Sequence, residues 1–538
     1  MSILYLTILV LIYLAIIAFL SYYAYRKTTT VADYLVGGRA IHPLIMALSY
    51  GSTFISTSAI VGFGGAAAVY GMGILWLTVL NIFVGIFIAF VYFGKRTRLM
   101  GFNLNAHTFP EFLGERFDSR LLQGLVGVVI VIGMPLYAGV VLMGGAQFIA
   151  EVLKVSYDSA LFFLTAIVAI YVIMGGLKGV MYTDAFQGFL MFVGMTILLI
   201  FAYINVGGIV PGHQKLTDMA DIAVKVFGAK GHTGWTSFPT FGSAFWWQLV
   251  TTIVMGVGIG VLAQPQLVVR FMTVKSDREL NRAVGAGGVF ILMMTGVAFI
   301  VGALANVYFF NHPEFKSIAI VAAKKNVENI IPLFINTAMP PWFTGVFMIT
   351  LLSAAMSTMS SQFHTMGAAI GRDIYQKWAG GKGKPIFITQ IGILITIIIA
   401  LFLAWGLPKF FMNAEMGTAI IARGTAIFFG LCASAFLPMY VGSLYSRKFT
   451  KSAAFSGFLV GFFVSLIWIL FFHVKESQPL LLCKALFGLD SLVAGTTWAE
   501  VDPLIIALPL SVIATIVGNR FGKPLSQKHL DKCFKGIK

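Results

Sequence analysis

The chain repeatedly runs for about 20 residues without a charge, and nearly every residue in those runs is apolar. Twenty helical residues rise about 30 Å, the thickness of a bilayer's hydrocarbon layer. Inside hydrocarbon the backbone must satisfy its own hydrogen bonds, so runs of this kind are read as helices. Composition agrees. Charged residues make up 11% and apolar residues 59% of the chain, against about 25% charged in soluble domains. The expected partner is the lipid bilayer. A formal net charge of +17 would suggest nucleic acid in a soluble chain. Here the basic residues fall between the apolar runs, and no nucleic-acid partner is expected.

Thirteen spans are expected, at 3–25, 43–68, 73–94, 122–150, 157–176, 184–206, 244–270, 285–310, 332–370, 385–407, 417–445, 453–473 and 502–519. The first run lacks a basic leading region and a small-residue cleavage site, so it reads as a retained span and not a signal peptide. Lys and Arg test the order. About 26 of the 37 fall in alternate segments assigned to the inside and about 10 in those assigned to the outside, with Arg423 left inside a span. This predicts an outer N-terminus and a cytoplasmic C-terminus in the cell membrane. Cys432, Cys483 and Cys533 fall in a span, an outer loop and the inner tail, so no disulfide is expected. The long outer segment at 311–331 has room for a short amphipathic helix.

Two spans look interrupted. The second contains Gly51-Ser52-Thr53-Phe54-Ile55-Ser56-Thr57-Ser58, and the seventh contains Gly256-Val257-Gly258-Ile259-Gly260 followed by Gln264-Pro265. Hydroxyls bend helices by bonding back to the preceding turn. Glycine and proline let the backbone leave helical geometry. Close helix packing through small residues is the competing explanation. The two interruptions lie five spans apart, and matched interruptions in two halves mark the site of a secondary transporter.

In order and spacing, several motifs resemble the sodium:solute symporter family, whose members include proline, galactose, sialic acid and monocarboxylate symporters. They are Ala32-Asp33-Tyr34-Leu35-Val36-Gly37-Gly38-Arg39, Gly175-Gly176-Leu177-Lys178-Gly179 with Tyr182-Thr183-Asp184, Gln264-Pro265 with Arg270, and Leu352 to Gln362 with Asp373-Ile374-Tyr375. The resemblance implies an all-α membrane protein with inverted five-helix repeats and two broken helices, a LeuT-like fold. Repeat one would cover 43–206 and repeat two 244–445, with an extra span at 3–25 and two more within 453–519. It implies sodium as coupling ion, with no other cofactor. The sodium site would use the carbonyls of Ser52, Ile55 and Ala354 and the hydroxyls of Ser357 and Thr358. These are oxygen ligands, as a hard cation prefers. By the same resemblance, Asp184 with Ser357, Ser360 and Ser361 would hold a second sodium, in the manner of sialic acid symporters. The competing reading makes Asp184 a helix N-cap.

The substrate pocket would include Thr53, Phe54, Ser56, Val257, Gly258 and Val261. It lacks the polar side chains that galactose symporters carry at Phe54 and Ala59. It also lacks the acid that proline symporters carry at Phe54 and the aromatics they carry near Val257 and Val261. An apolar pocket with free backbone groups from the glycine run is expected. Arg423 is costly inside a span and suits a carboxylate; snorkelling or pairing with Glu415 is its alternative. Together these features predict a small monocarboxylate substrate, with pantothenate, proline or another amino acid as alternatives. His364 reads as a packed residue before a proton carrier. No zincin helix, nucleophile elbow, P-loop or dinucleotide fingerprint is present, so an enzyme is not expected. A channel filter motif is also absent, and the tail after Arg520 is short for a sensor's signalling domain.

Overall fold

The computed structural model describes residues 3–410 and 420–537, and every regular element among them is a helix. Eleven of these helices are long and apolar enough to cross a membrane, and a shorter apolar helix covers Tyr157–Ile173. Burial sorts them into layers. The most apolar stretch of the Pro341–Trp378 helix is 89% buried, against 28% for Tyr5–Arg26, Lys451–Phe471 and Pro503–Phe521. Pro341–Trp378 is therefore the central post, and the other three form the periphery. Their outward faces carry exposed Leu11, Phe19, Phe463 and Ile513. Such a face suits lipid and not water.

Small residues let the inner helices meet at backbone distance. A methyl group on Gly302 would stand 1.9 Å from the Gly64 carbonyl oxygen, and one on Gly260 would stand 2.3 Å from that of Phe429. Only glycine fits at such contacts, the packing mode expected when no water drives helices together.

Three breaks punctuate the helices. The Pro43–Phe54 helix ends at Ile55, whose φ of −93° and ψ of 105° are extended. The second break falls at Gln264, which is extended at φ −70° and ψ 116° between helical Val261–Ala263 and Pro265–Phe271. Proline disfavours helical geometry at the preceding residue and is well placed at the start of a helix, so Pro265 sets this break. The glycine run does not: Val257–Gly260 is helical, and its glycines serve close packing. The third break is Gly176, at φ 58° and ψ −177° inside the Tyr157–Val206 run. The ring of Tyr34 lies 2.7 Å from where its Cβ would be. The expected loop between the fifth and sixth spans is thus reduced to one residue. Likewise, the ninth span begins at Pro341, because Ile330–Ala338 is a separate helix. Only the single turn Ala319–Ala322 and the short Val327–Asn329 helix form where an amphipathic helix seemed possible.

The segment after Val206 folds into Ile209–Asp218 and Ala220–Phe227 and then caps the 58–70 helical segment. Trp235 Nε1 donates to the Ala68 carbonyl at 2.7 Å, and His232 Nε2 lies 3.0 Å from the Val69 carbonyl. On the opposite face, the Gln527–Cys533 helix packs beside the Lys95–Asn103 helix. Asn103 Nδ2 donates to the Lys535 carbonyl at 2.8 Å, Arg447 pairs with Asp531 at 3.0 Å, and Arg116 and Arg447 lie over the Phe534 ring. Cys432, Cys483 and Cys533 are free thiols and all are buried.

Candidate functional site

A helix leaves its last carbonyls without partners. The break at Ile55 therefore frees those of Ser52 and Thr53 inside the protein. The Pro341–Trp378 helix supplies what they need. Ser357 Oγ donates to the Ser52 carbonyl at 2.9 Å and lies 3.4 Å from that of Ala354. Thr358 Oγ1 lies 3.3 Å from the Ser52 carbonyl and 3.0 Å from that of Thr53. Adjacent side chains on a regular helix diverge by about 100°, yet both hydroxyls reach the Ser52 oxygen. Ser52, Ala354, Ser357 and Thr358 thus come together beside Ile55, and the Thr53 carbonyl, not anticipated from sequence, joins them. These oxygens carry no formal charge and are fully buried, and oxygen is the ligand type a hard cation takes.

One helical turn further along the post lies a second cluster. Asp184, fully buried, stands eight residues past Gly176 inside its helix, so it is not an N-cap. Ser360 Oγ donates to Asp184 Oδ1 at 3.2 Å, and Ser361 Oγ to Oδ2 at 3.2 Å. Ser360 Oγ also bonds the Ser357 carbonyl at 3.0 Å, linking the two clusters. The four residues expected around a second cation are assembled, but a cation of the chain's own is among them. Arg270, equally buried, places one guanidinium nitrogen 2.9 Å from Asp184 Oδ2 and 2.5 Å from both Thr53 Oγ1 and Ser361 Oγ. Its Nε donates to Ser49 Oγ at 3.1 Å. By position along the chain Arg270 looks like one more basic residue of an inner loop. The signal for its role is that it follows the Gln264-Pro265 break on the short Pro265–Phe271 helix, which is buried along its length.

Beyond the break, on the side away from this pair, lies a small cavity of about 290 Å³. Phe54, Tyr137 and Phe429 wall it. The Phe54 and Phe429 rings stack 6.0 Å apart, and Tyr137 meets Phe429 edge-on at 5.3 Å. Ser56, Asn81, Thr295 and Thr425 contribute the polar part of the lining, which holds no charged side chain. The buried Asn81 Oδ1 has no hydrogen-bond partner among the described residues.

Of the residues expected to contact substrate, Phe54, Ser56 and Val257 line this cavity. Thr53 turns to Arg270. Gly258 packs on Leu80, and Val261 packs beside Gly85. Arg423 is also off the cavity. It pairs with Glu476 of the Val474–Leu480 helix, because a part-buried guanidinium needs a local counter-charge. Glu415 lies outside the described residues. The basis for a monocarboxylate substrate is thereby removed. The free backbone expected from the glycine run comes instead from the Ile55 break. His364 is buried with its ring 5.4 Å from that of Tyr34, and neither ring nitrogen has a hydrogen-bond partner among the described residues.

Helices broken at mid-depth, hydroxyls set on the freed carbonyls and a small adjoining cavity define a secondary transporter. The sodium:solute symporter family profile matches residues 34–461, and the chain belongs to that family. It is a membrane symporter and not an enzyme, and membership implies sodium as its coupling ion. Similar curated proteins include sodium/proline symporter 2 of Staphylococcus saprophyticus, 26% identical over 91% of this chain and 89% of that one. The high-affinity proline transporter PutP of Bacillus subtilis is 27% identical over 84% and 89% of the two chains. The osmoregulated proline transporter OpuE of the same organism is 28% identical over 85% and 87%. In fold, the chain is similar to a Na+-coupled sialic acid symporter solved in a substrate-bound outward-open state, with a TM-score of 0.74, 18% identity and 97% and 99% coverage.

Proposed function

We propose that the chain imports proline, or a related small amino or imino acid, together with sodium by alternating access. The observation that carries this reading is the meeting of the Ser357 and Thr358 hydroxyls with the Ser52 and Thr53 carbonyls beside an uncharged aromatic cavity. Sodium binds there on the carbonyls of Ser52, Ile55 and Ala354 and the two hydroxyls. The cavity suits a small zwitterion with an apolar body. Phe54, Tyr137 and Phe429 cover the ring and can face its cationic nitrogen, and backbone freed at the break can meet the carboxylate. The aromatic face thus takes over from the acid that proline symporters carry at Phe54. The names of the curated relatives favour the same class.

The architecture that fits is thirteen spans, with inverted repeats over 43–206 and 244–445. The N-terminus lies outside, the C-terminus is cytoplasmic, and the chain sits in the plasma membrane. At the second cluster Arg270 already neutralises Asp184, so a second sodium enters only if Arg270 withdraws. One sodium per solute is the expected ratio. Uptake into proteoliposomes tests the reading. Labelled proline is expected to accumulate under an inward sodium gradient and not under a potassium gradient. Sodium-driven uptake of acetate or pantothenate, with none of proline, would reject the substrate class.

A further inference from the structure

Asn81 stands at the aromatic cavity with its carbonyl unused. It belongs to the Leu75–Ile82 helix, lines the cavity and is 2% exposed. Its Oδ1 is the one buried side-chain oxygen or nitrogen of the lining without a hydrogen-bond partner among the described residues. The other polar side chains there are engaged. Thr295 Oγ1 donates to the Ile291 carbonyl and Thr425 Oγ1 to the Ile421 carbonyl, each at 2.9 Å, and Ser56 Oγ accepts the Ser58 N–H at 3.1 Å. A buried carbonyl left unpaired costs stability, and a leucine of similar volume would avoid that cost. A second observation marks the same place. Four helical stretches around the cavity are wound with the wider π repeat. Ser58–Gly62 carries Ala59 and Leu292–Gly296 carries Thr295, Phe83–Gly94 begins two residues after Asn81, and Gln248–Gly256 ends one residue before Val257. Such winding is rare and recurs at functional sites.

We infer that Asn81 Oδ1 accepts a hydrogen bond from the ammonium or iminium N–H of the solute, and so selects solutes with a donor on nitrogen over those with none. The inference rests on the proposed amino or imino acid substrate and adds a specificity rule to it. The aromatic walls cannot supply that rule, because a cation–π face attracts a cation whether it carries hydrogens or methyl groups. An amide carbonyl bonds only a donor. A fully methylated nitrogen, or a ring carbon in its place, leaves Oδ1 unpaired, and a site built around a hydrogen bond rejects such analogues. The amide is also uncharged, so the empty cavity does not have to bury a lone carboxylate between turnovers.

Binding to the purified full chain in detergent with sodium, read by thermal shift, tests this without transport. Four ligands are compared. Proline and the bulkier pipecolate carry N–H donors, N,N-dimethylproline keeps the charge without a donor, and cyclopentanecarboxylate has neither. The wild type is expected to bind proline and pipecolate at least roughly tenfold more tightly than the other two. Asn81→Leu should lose that preference through weaker binding of proline. It should also melt at a higher temperature than the wild type without ligand, because it removes an unpaired buried carbonyl. Asn81→Asp keeps the acceptor and should keep the preference. If Asn81→Leu still favours proline over N,N-dimethylproline as strongly as the wild type, Asn81 is not the acceptor. A lower melting temperature, or failure to fold, would make the amide a packing element and reject the inference as well. Uptake is measured separately. The binding preference without sodium-driven accumulation of proline would reject the transport reading and keep Asn81 as acceptor, and accumulation with equal affinity for all four ligands would do the reverse. No binding of any of the four would reject both.

Discussion

At the scale of single residues, the proposed sodium position depends on two hydroxyls that are adjacent in sequence. Ser357→Ala or Thr358→Ala removes one ligand and leaves the freed carbonyl of Ser52 or Thr53 short of a partner. The loss of about 1–3 kcal/mol expected for an unmatched buried group corresponds to a rise of roughly five- to 150-fold in the sodium needed for half-maximal uptake. Unchanged sodium dependence in both variants would remove the assignment. Asp184 and Arg270 behave differently because each is the other's counter-charge, at 0% and 1% exposure of their side chains. Breaking such a pair from one side costs about 3–5 kcal/mol, while removing both charges costs far less. Asp184→Asn and Arg270→Gln should each lower the melting temperature in detergent, and the double variant should recover most of the loss. Sodium activation of wild-type uptake should be hyperbolic. A sigmoidal curve would mean that Arg270 leaves and a second ion takes its place. The Asp184–Arg270 partnership was not legible in the sequence, because 86 residues separate the partners and only the folded chain brings the Gln264 break against the Gly176 helix. Arg423 was legible as an expensive residue with an ion pair as its alternative, but its partner Glu476 was not, since it lies 53 residues away.

Among helices and loops, the first break was readable because five hydroxyls in eight residues make poor helix filling in lipid. The second was placed in the right span but attributed in part to the wrong residues. Glycine serves both loose backbone and tight packing, and its neighbours decide which. Gly260→Ala would press a methyl group to 2.3 Å from the Phe429 carbonyl oxygen. Overpacking of this kind costs about 1–3 kcal/mol, so the melting temperature should fall. Gly285→Ala meets nothing within 4 Å and should leave it unchanged or slightly raised. Equal effects would show that the close approach is not what fixes Gly260.

For the whole molecule, hydropathy carried the all-helical membrane character, since it follows from the solvent and not from tertiary detail; the thirteen spans and the orientation read from Lys and Arg belong to the proposed architecture. What hydropathy could not convey is which helix stands at the centre, because Pro341–Trp378 is the least apolar of the eleven. Its serines and threonines are affordable only under cover of its neighbours.

The docked tail makes Cys533 a native gauge of the face proposed to be cytoplasmic. Its sulfur has no exposure while Phe534 lies under Arg116 and Arg447 and Asp531 holds Arg447. A maleimide should therefore reach it only when the tail lifts. In sealed right-side-out vesicles an impermeant maleimide should leave it untouched and a permeant one should label it slowly. Asp531→Asn, which frees the tail at one anchor, should speed labelling by the permeant reagent alone. Rapid labelling from outside would invert the proposed topology. If adding sodium and solute changes the permeant rate, the same thiol reports, without any engineered probe, that the inner ends of the helices move during turnover.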